Sequence, residues 1–189
     1  MGERIALTDA SDQTHAALRA RYAARRDAGY AGADYRVYGY MRVADAVRYY
    51  GAIHARWDSA QLAADLEATG LSAGLEVRRM KTVYQRALVL ALIAAAQPAT
   101  LVIERADQFD AQPAAELLER VVRRAPWALV TYASDTIPPA GLFDVIVPAG
   151  SFDSSEPAES SAAPAPPFAE TSSAGSSDVI EPKPGFDAP

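Results

Sequence analysis

The stretch Ala99-Thr-Leu-Val-Ile-Glu-Arg-Ala-Asp-Gln-Phe-Asp110 decides how this chain folds. Its apolar run, Thr100–Ile103, follows Pro98, is rich in β-branched side chains and is too short for a helix. It does not alternate with polar residues, so both faces must be buried, as in the middle of a parallel sheet. Glu104 ends the run. Asp110 suits the N-cap of a helix over Ala111–Arg124, with Pro113 tolerated in the first turn. Trp127–Tyr132 and Phe143–Val147 downstream are further apolar strands, and Arg4–Thr8 upstream is another. A helix is expected over Asp12–Arg26, strand and loop over Gly29–Tyr40, and a helix apolar nearly all round, hence buried, over Val83–Ala96. Short apolar strands separated by helices give an α/β fold, a parallel sheet flanked by helices.

One part breaks the alternation. Val43, Ala46, Val47, Tyr50, Ile53 and Trp57 recur at helical spacing and mark one amphipathic face. Asp58 with Gln61 reads as a capping pair that opens a second helix, and Gly70 closes it. Helix follows helix without a strand, so residues 41–95 form a helical insertion within the α/β frame.

Charge divides the chain differently. Of 189 residues, 18 are Lys or Arg and 24 are Asp or Glu, and there is no cysteine. The last 39 residues hold seven acids and one base, which leaves 17 of each in residues 1–150. The body is neutral, which excludes a domain built around a strongly basic nucleic-acid surface. Without cysteine there is no disulfide, thiolate metal site or Cys nucleophile. Residues 151–189, rich in Ser, Pro, Ala and acids, hold too little apolar surface to offset the entropy of ordering and are expected to be disordered. The longest apolar run, Ala87–Ala96, is half of the roughly 20 residues that cross a bilayer. The expected compartment is the cytoplasm.

Four segments in this order resemble the nucleotide-binding domain of ATP-binding-cassette (ABC) transporters, a P-loop NTPase-like fold with a helical subdomain. Arg26–Asp34 is similar to the strand and loop that carry the family's Q-loop glutamine, and Val37–His54 to the opening of the helical subdomain. Tyr84–Ile93 is similar to the buried helix after the signature loop, and Ala99–Asp110 to the Walker B strand running into the D-loop, with Asp110 as the D-loop aspartate. The likeness spans roughly residues 26–150. It implies ATP hydrolysis with Mg as the family activity.

The residues that perform that chemistry are changed one after another. A P-loop needs glycines around the phosphates, a lysine and a Ser/Thr on magnesium. The corresponding stretch, Thr8-Asp-Ala-Ser-Asp-Gln-Thr-His15, has no glycine or lysine; Asp9 and Asp12 would repel phosphate, and Ser11 or Asp12 reads as a helix N-cap. The Q-loop glutamine position falls on Ala33, and the signature loop near Arg79-Met-Lys-Thr-Val83 lacks glycine. The switch-histidine position falls in Tyr132–Ser134, while the two histidines are His15 and His54. Walker B admits two registers. Aligned on Asp110, Ile103 replaces the Mg aspartate and Glu104 keeps the glutamate. Aligned on Pro98, Glu104 replaces the aspartate and Arg105 the glutamate. Either loses one carboxylate, and one preorganised group is worth about 10²–10³ in rate. Glu104 remains the one catalytic candidate, and neither a metal site nor a cofactor is expected.

What the resemblance retains is a partner surface. Six of the nine tyrosines lie within Tyr30–Tyr50, where the family receives a short helix from its membrane-embedded permease. Tyrosine suits such a groove, with large apolar area, few rotatable bonds and a polar tip. Tyr35, Tyr38, Tyr40 and Met41 are the docking candidates. The sequence therefore reads as a degenerate, non-hydrolysing ABC subunit, a scaffold or regulator held at the membrane through a permease and able to pair with itself or with an ABC ATPase. The alternatives are a working ATPase whose nucleotide is held by a partner, and a soluble binding module without a membrane partner.

Overall fold

A computed structural model describes residues 2–34 and 36–151, all within one compact unit. Tyr35 and the tail from residue 152 lie outside the described residues. Five strands form one parallel sheet: β1 (Arg4–Thr8), β2 (Ala28–Ala31), β3 (Thr100–Ile103), β4 (Ala128–Thr131) and β5 (Val145–Pro148), in the order β2-β3-β4-β1-β5. Five α-helices accompany them: α1 (Asp12–Tyr22), α2 (Val43–Ile53), α3 (Ser59–Ala68), α4 (Thr82–Ala95) and α5 (Ala114–Arg124).

The apolar strands divide their side chains between two cores, as alternate residues of a strand must. Leu7, Val102 and Leu129 face α1 with its Leu18 and Tyr22. Ala6, Leu101, Ile103, Ala128 and Val130 face the larger core with α4 and α5. Helix α4 is buried continuously from Arg86 to Ile93, which explains its lack of a polar face. The helical insertion is α2 and α3. Asp58 caps α3 as expected, its Oδ1 accepting from the Gln61 N–H at 2.8 Å, and Gly70 ends it with φ of 69°.

Several boundaries differ from the sequence reading; Trp57, for one, lies beyond α2, which ends at Ile53. Helix α1 stops at Tyr22, four residues short of Arg26. The Arg25 N–H bonds the Tyr22 carbonyl and the Ala28 N–H bonds that of Arg25, turning the chain into β2. Helix α5 starts at Ala114 rather than Ala111, with Pro113 in the N-cap place. The Ala111 carbonyl, not Asp110, accepts from the first free amides, Ala114 and Ala115. Strand β5 begins at Val145; it is an edge strand, with Ile146 half exposed and Pro148 tolerated at its end. Phe143 instead packs edge-on against Tyr132. Among the described residues no helix is long and apolar enough to cross a membrane.

Candidate functional site

Parallel strands deliver their C-terminal ends to one edge of the sheet, where sites in open α/β folds assemble. Here that edge gathers the β1–α1 turn, the loop after β2, and the Glu104–Asp110 segment after β3.

The β1–α1 turn is only Asp9, Ala10 and Ser11. Asp9 takes a left-handed φ of 56°, and the Ala10 N–H bonds the Tyr132 carbonyl at 3.3 Å. The Ser11 hydroxyl accepts from the Thr14 N–H at 3.2 Å, an ordinary helix cap. One turn further on, His15 is buried and its Nε2 shares a hydrogen bond with the Thr131 hydroxyl at 3.0 Å. The Thr14 amide of α1 is thus engaged by the helix's own cap, and the turn that leads into the helix spans three residues.

Glu104 follows the last residue of β3 and is fully buried. Its Oε1 accepts from the Tyr30 hydroxyl, and its Oε2 accepts from the Ala33 N–H at 2.8 Å and lies 3.6 Å from Arg19 Nη2. Arg19, on α1, also reaches Asp34 at 3.7 Å. Burial pushes the Tyr30 phenol well up, the Glu104 carboxylate pushes the same way, and Arg19 opposes both. Position 33 therefore supplies main chain where the resemblance implies a glutamine side chain. Gly32 is needed beside it, because a Cβ there would come 2.9 Å from Tyr30 Cε1.

A second knot holds this one in place. Arg86 of α4 is buried; it donates to the Ala33 carbonyl at 3.2 Å, the Arg105 carbonyl at 3.2 Å and Gln108 Oε1 at 2.6 Å, and its guanidinium lies 5.1 Å from the Phe109 ring centre. Burial lowers its pKa to about 10, with Arg36 contributing in the same direction. Arg105 takes a left-handed φ of 53°, and its N–H donates to the Thr131 hydroxyl at 3.0 Å. Its side chain pairs with Asp107 at 2.8 Å, and Asp107 accepts from the Ala133 N–H. Burial raises the Asp107 pKa, but the bonds from Arg105 and Ala133 outweigh it and hold the carboxyl below its ordinary value.

The structure thus brings Glu104 together with Ala33 but leaves the other candidates apart. Asp110 is exposed and makes no hydrogen bond or ion pair among the described residues. Tyr38 and Tyr40 are exposed and stacked, with ring centres 5.6 Å apart, while Met41 is half-buried against the main core. His54 is exposed, stacked between Tyr50 and Trp57. Sequence reasoning missed Arg19, Tyr30 and Arg86. Arg86 had a signal, since a lone cation in an apolar helix must find acceptors. Arg19 and Tyr30 had none, because elements far apart in the chain carry them.

This sheet order, with helices inserted between β2 and β3, is the fold of the ATP-binding subunits of ABC transporters. No family model matches the sequence, and no curated protein does. Among solved structures, the ATP-binding subunit of an ABC transporter aligns with TM-score 0.56 at 14% identity, covering 69% of this chain and 68% of that one. A putative ABC transporter ATP-binding protein from Pyrococcus furiosus aligns with TM-score 0.61 at 9% identity over 78% of this chain and 84% of that one. A bacterial Atm1-family ABC exporter with ATP bound gives 0.55 at 12% identity, over 69% of this chain and 30% of the exporter. The expectation of no cofactor does not stand against these comparisons. Structures that share this fold are described as ATP-binding proteins, and one of them holds ATP.

Proposed function

We propose that this chain is a non-hydrolysing ABC-subunit-like protein, a scaffold or regulatory partner of a membrane permease or export system. The reading concerns turnover of ATP, not its binding. Glu104 carries it. A general base must reach the proton it takes, directly or through one water. Glu104 is fully buried, with Tyr30 and the Ala33 amide on its two oxygens and Arg19 beside it. A carboxylate so engaged serves the fold. Tyr38 and Tyr40, with Met41 behind them, would supply the partner surface, together with Tyr35, which lies outside the described residues. Asp110 would belong to a D-loop-like stretch facing a second ABC subunit, in a homodimer or heterodimer. The chain would be cytoplasmic and reach the membrane through its partner.

The test is phosphate release from Mg-ATP by the full-length chain and by Glu104→Gln. The expected result is background release from both. Release above background that disappears in Glu104→Gln would make Glu104 a working base and end this reading.

A further inference from the structure

The loop from Arg36 to Arg42 and the turn from Glu76 to Lys81 run side by side. Arg42 and Glu76 form an antiparallel bridge, the Val77 N–H bonds the Met41 carbonyl at 3.0 Å, and the Arg78 N–H bonds the Gly39 carbonyl at 3.1 Å. These 13 residues hold five bases (Arg36, Arg42, Arg78, Arg79, Lys81) and one acid, Glu76, within a body that is balanced only as a whole. All five bases are exposed. Glu76 is shared between Arg78 and Arg79, at 3.0 Å from each. The next acids along the chain, Asp34 and Asp45, pair with Arg19 and Arg48 instead. Beside these charges stand the Tyr38 and Tyr40 rings, 59% and 76% exposed.

A net positive patch with projecting phenols suits an anionic surface that has an apolar layer within reach of a ring. Tyrosine rests at the headgroup level of bilayers for that reason, with an apolar ring and a polar tip. Among the described residues, four cavities of about 820, 460, 300 and 290 Å³ are lined by residues outside this patch. Single-stranded nucleic acid would stack its bases on ring faces, but Tyr38 and Tyr40 already cover one face of each other. We infer that this patch binds anionic lipid headgroups, the two phenol rings entering the interface while the bases face the headgroup charges. Each base near an anionic leaflet strengthens binding roughly five-fold, so a net charge of four supplies roughly several-hundred-fold.

The test is co-sedimentation of the full-length chain with vesicles of phosphatidylcholine alone or mixed with phosphatidylserine. The expected result is binding to the mixed vesicles only, weakening as salt shortens the screening length from about 10 Å at 0.1 M to about 3 Å at 1 M. Arg78→Gln/Lys81→Gln should bind roughly 30-fold more weakly, and Tyr38→Ser/Tyr40→Ser should also lose affinity. Both double variants alter exposed side chains and should unfold at the temperature of the unmodified chain. No binding to the mixed vesicles, equal binding to phosphatidylcholine alone, or unchanged binding by both variants overturns the inference. So does retention on a single-stranded oligonucleotide or on polyglutamate with none on vesicles. These vesicles contain no permease, so a negative result leaves the proposed partnership standing.

Discussion

Arg124 on α5 donates two hydrogen bonds to Asp65 on α3, at 2.6 Å to Oδ2 and 3.3 Å to Oδ1. The carboxylate is 2% exposed, and Arg120 Nε and Gln61 Nε2 lie 3.7 Å and 3.4 Å from Oδ1. This buried pair joins the helical insertion to a helix packed on the sheet, across a sequence separation of 59 residues. A carboxylate so buried needs its cations. Without them a buried charge is left unpaired, which is costly.

Removing Arg124 should therefore hurt more than removing the whole pair. Arg124→Met leaves Asp65 buried with Arg120 as its remaining cation, for a loss of about 2–3 kcal/mol, below the range of a fully buried pair because Arg124 is partly exposed. Asp65→Leu/Arg124→Met should regain at least half of that. Urea unfolding of the unmodified chain and both variants measures it. Equal losses in the single and double variants would mean that the stranded charge is not the cause.

Tyr132 offers the opposite case. Its hydroxyl is buried and has no hydrogen-bond partner among the described residues. Burial pushes the phenol pKa upward, and the charges of Glu119 and Asp107 push the same way. Tyr132→Phe keeps the edge-on contact with Phe143 and should stabilise the fold by about 1 kcal/mol. The unfolded phenol titrates near 10 and the folded one higher, so its contribution is intact below about pH 10 and is lost as pH rises beyond it. Melting curves from about pH 8 to about pH 12 should show a shallower alkaline decline in the variant. Tyr30, also shifted upward, should keep part of the decline.

One contribution on the acid side lies at the edge strand. Asp144 accepts from Arg4 Nη2 at 2.9 Å and from the Arg4 main-chain N–H at 2.9 Å, and the guanidinium holds its carboxyl below the ordinary carboxylate range. A depressed pKa contributes stability above the unfolded value of about 3.9, lost as pH falls through the folded value. The pair is exposed, so the effect should be local. Asp144→Asn should speed hydrogen exchange along β5 while leaving the β3 and β4 amides unchanged. Faster exchange across the whole sheet would count against that localisation.

The physics that made some elements legible also hid others. The strands within Thr100–Ile103 and Trp127–Tyr132 were readable because a strand buried on both faces is dominated by apolar residues, and Ser11 and Asp58 because a cap is a local bond. The end of α1 was not, since nothing in Ala23–Arg26 forbids a helix, and the demand to reach β2 is tertiary. Asp110 looked like a cap because aspartate usually is one, yet Pro113 took the N-cap place and the Ala111 carbonyl accepted the amides. Phe143 was apolar for its contact with Tyr132, not for a place in β5. At the candidate site Glu104 was identifiable as the one carboxylate near the strand end. What engages it was not, because Tyr30 lies 74 residues away.

That engagement separates two jobs for Glu104 by stability as well as by rate. A general base tolerates Glu→Gln structurally and loses turnover. A carboxylate that accepts from Tyr30 and Ala33 and faces Arg19 should lose stability, because an amide presents N–H groups to one of those donors and no charge to the guanidinium. Hydrogen bonds to a charged group are worth about 1.5–3 kcal/mol, which sets the expected cost of Glu104→Gln near 2 kcal/mol. Tyr30→Phe should cost less than Glu104→Gln, since the carboxylate keeps its bond from the Ala33 amide. The double variant should cost less than the two singles together, the sign of direct coupling between contacting residues. Denaturant unfolding of the four proteins closes this cycle. Strict additivity, or a Glu104→Gln protein as stable as the unmodified chain, would show that Tyr30 does not hold Glu104 and would free it for chemistry.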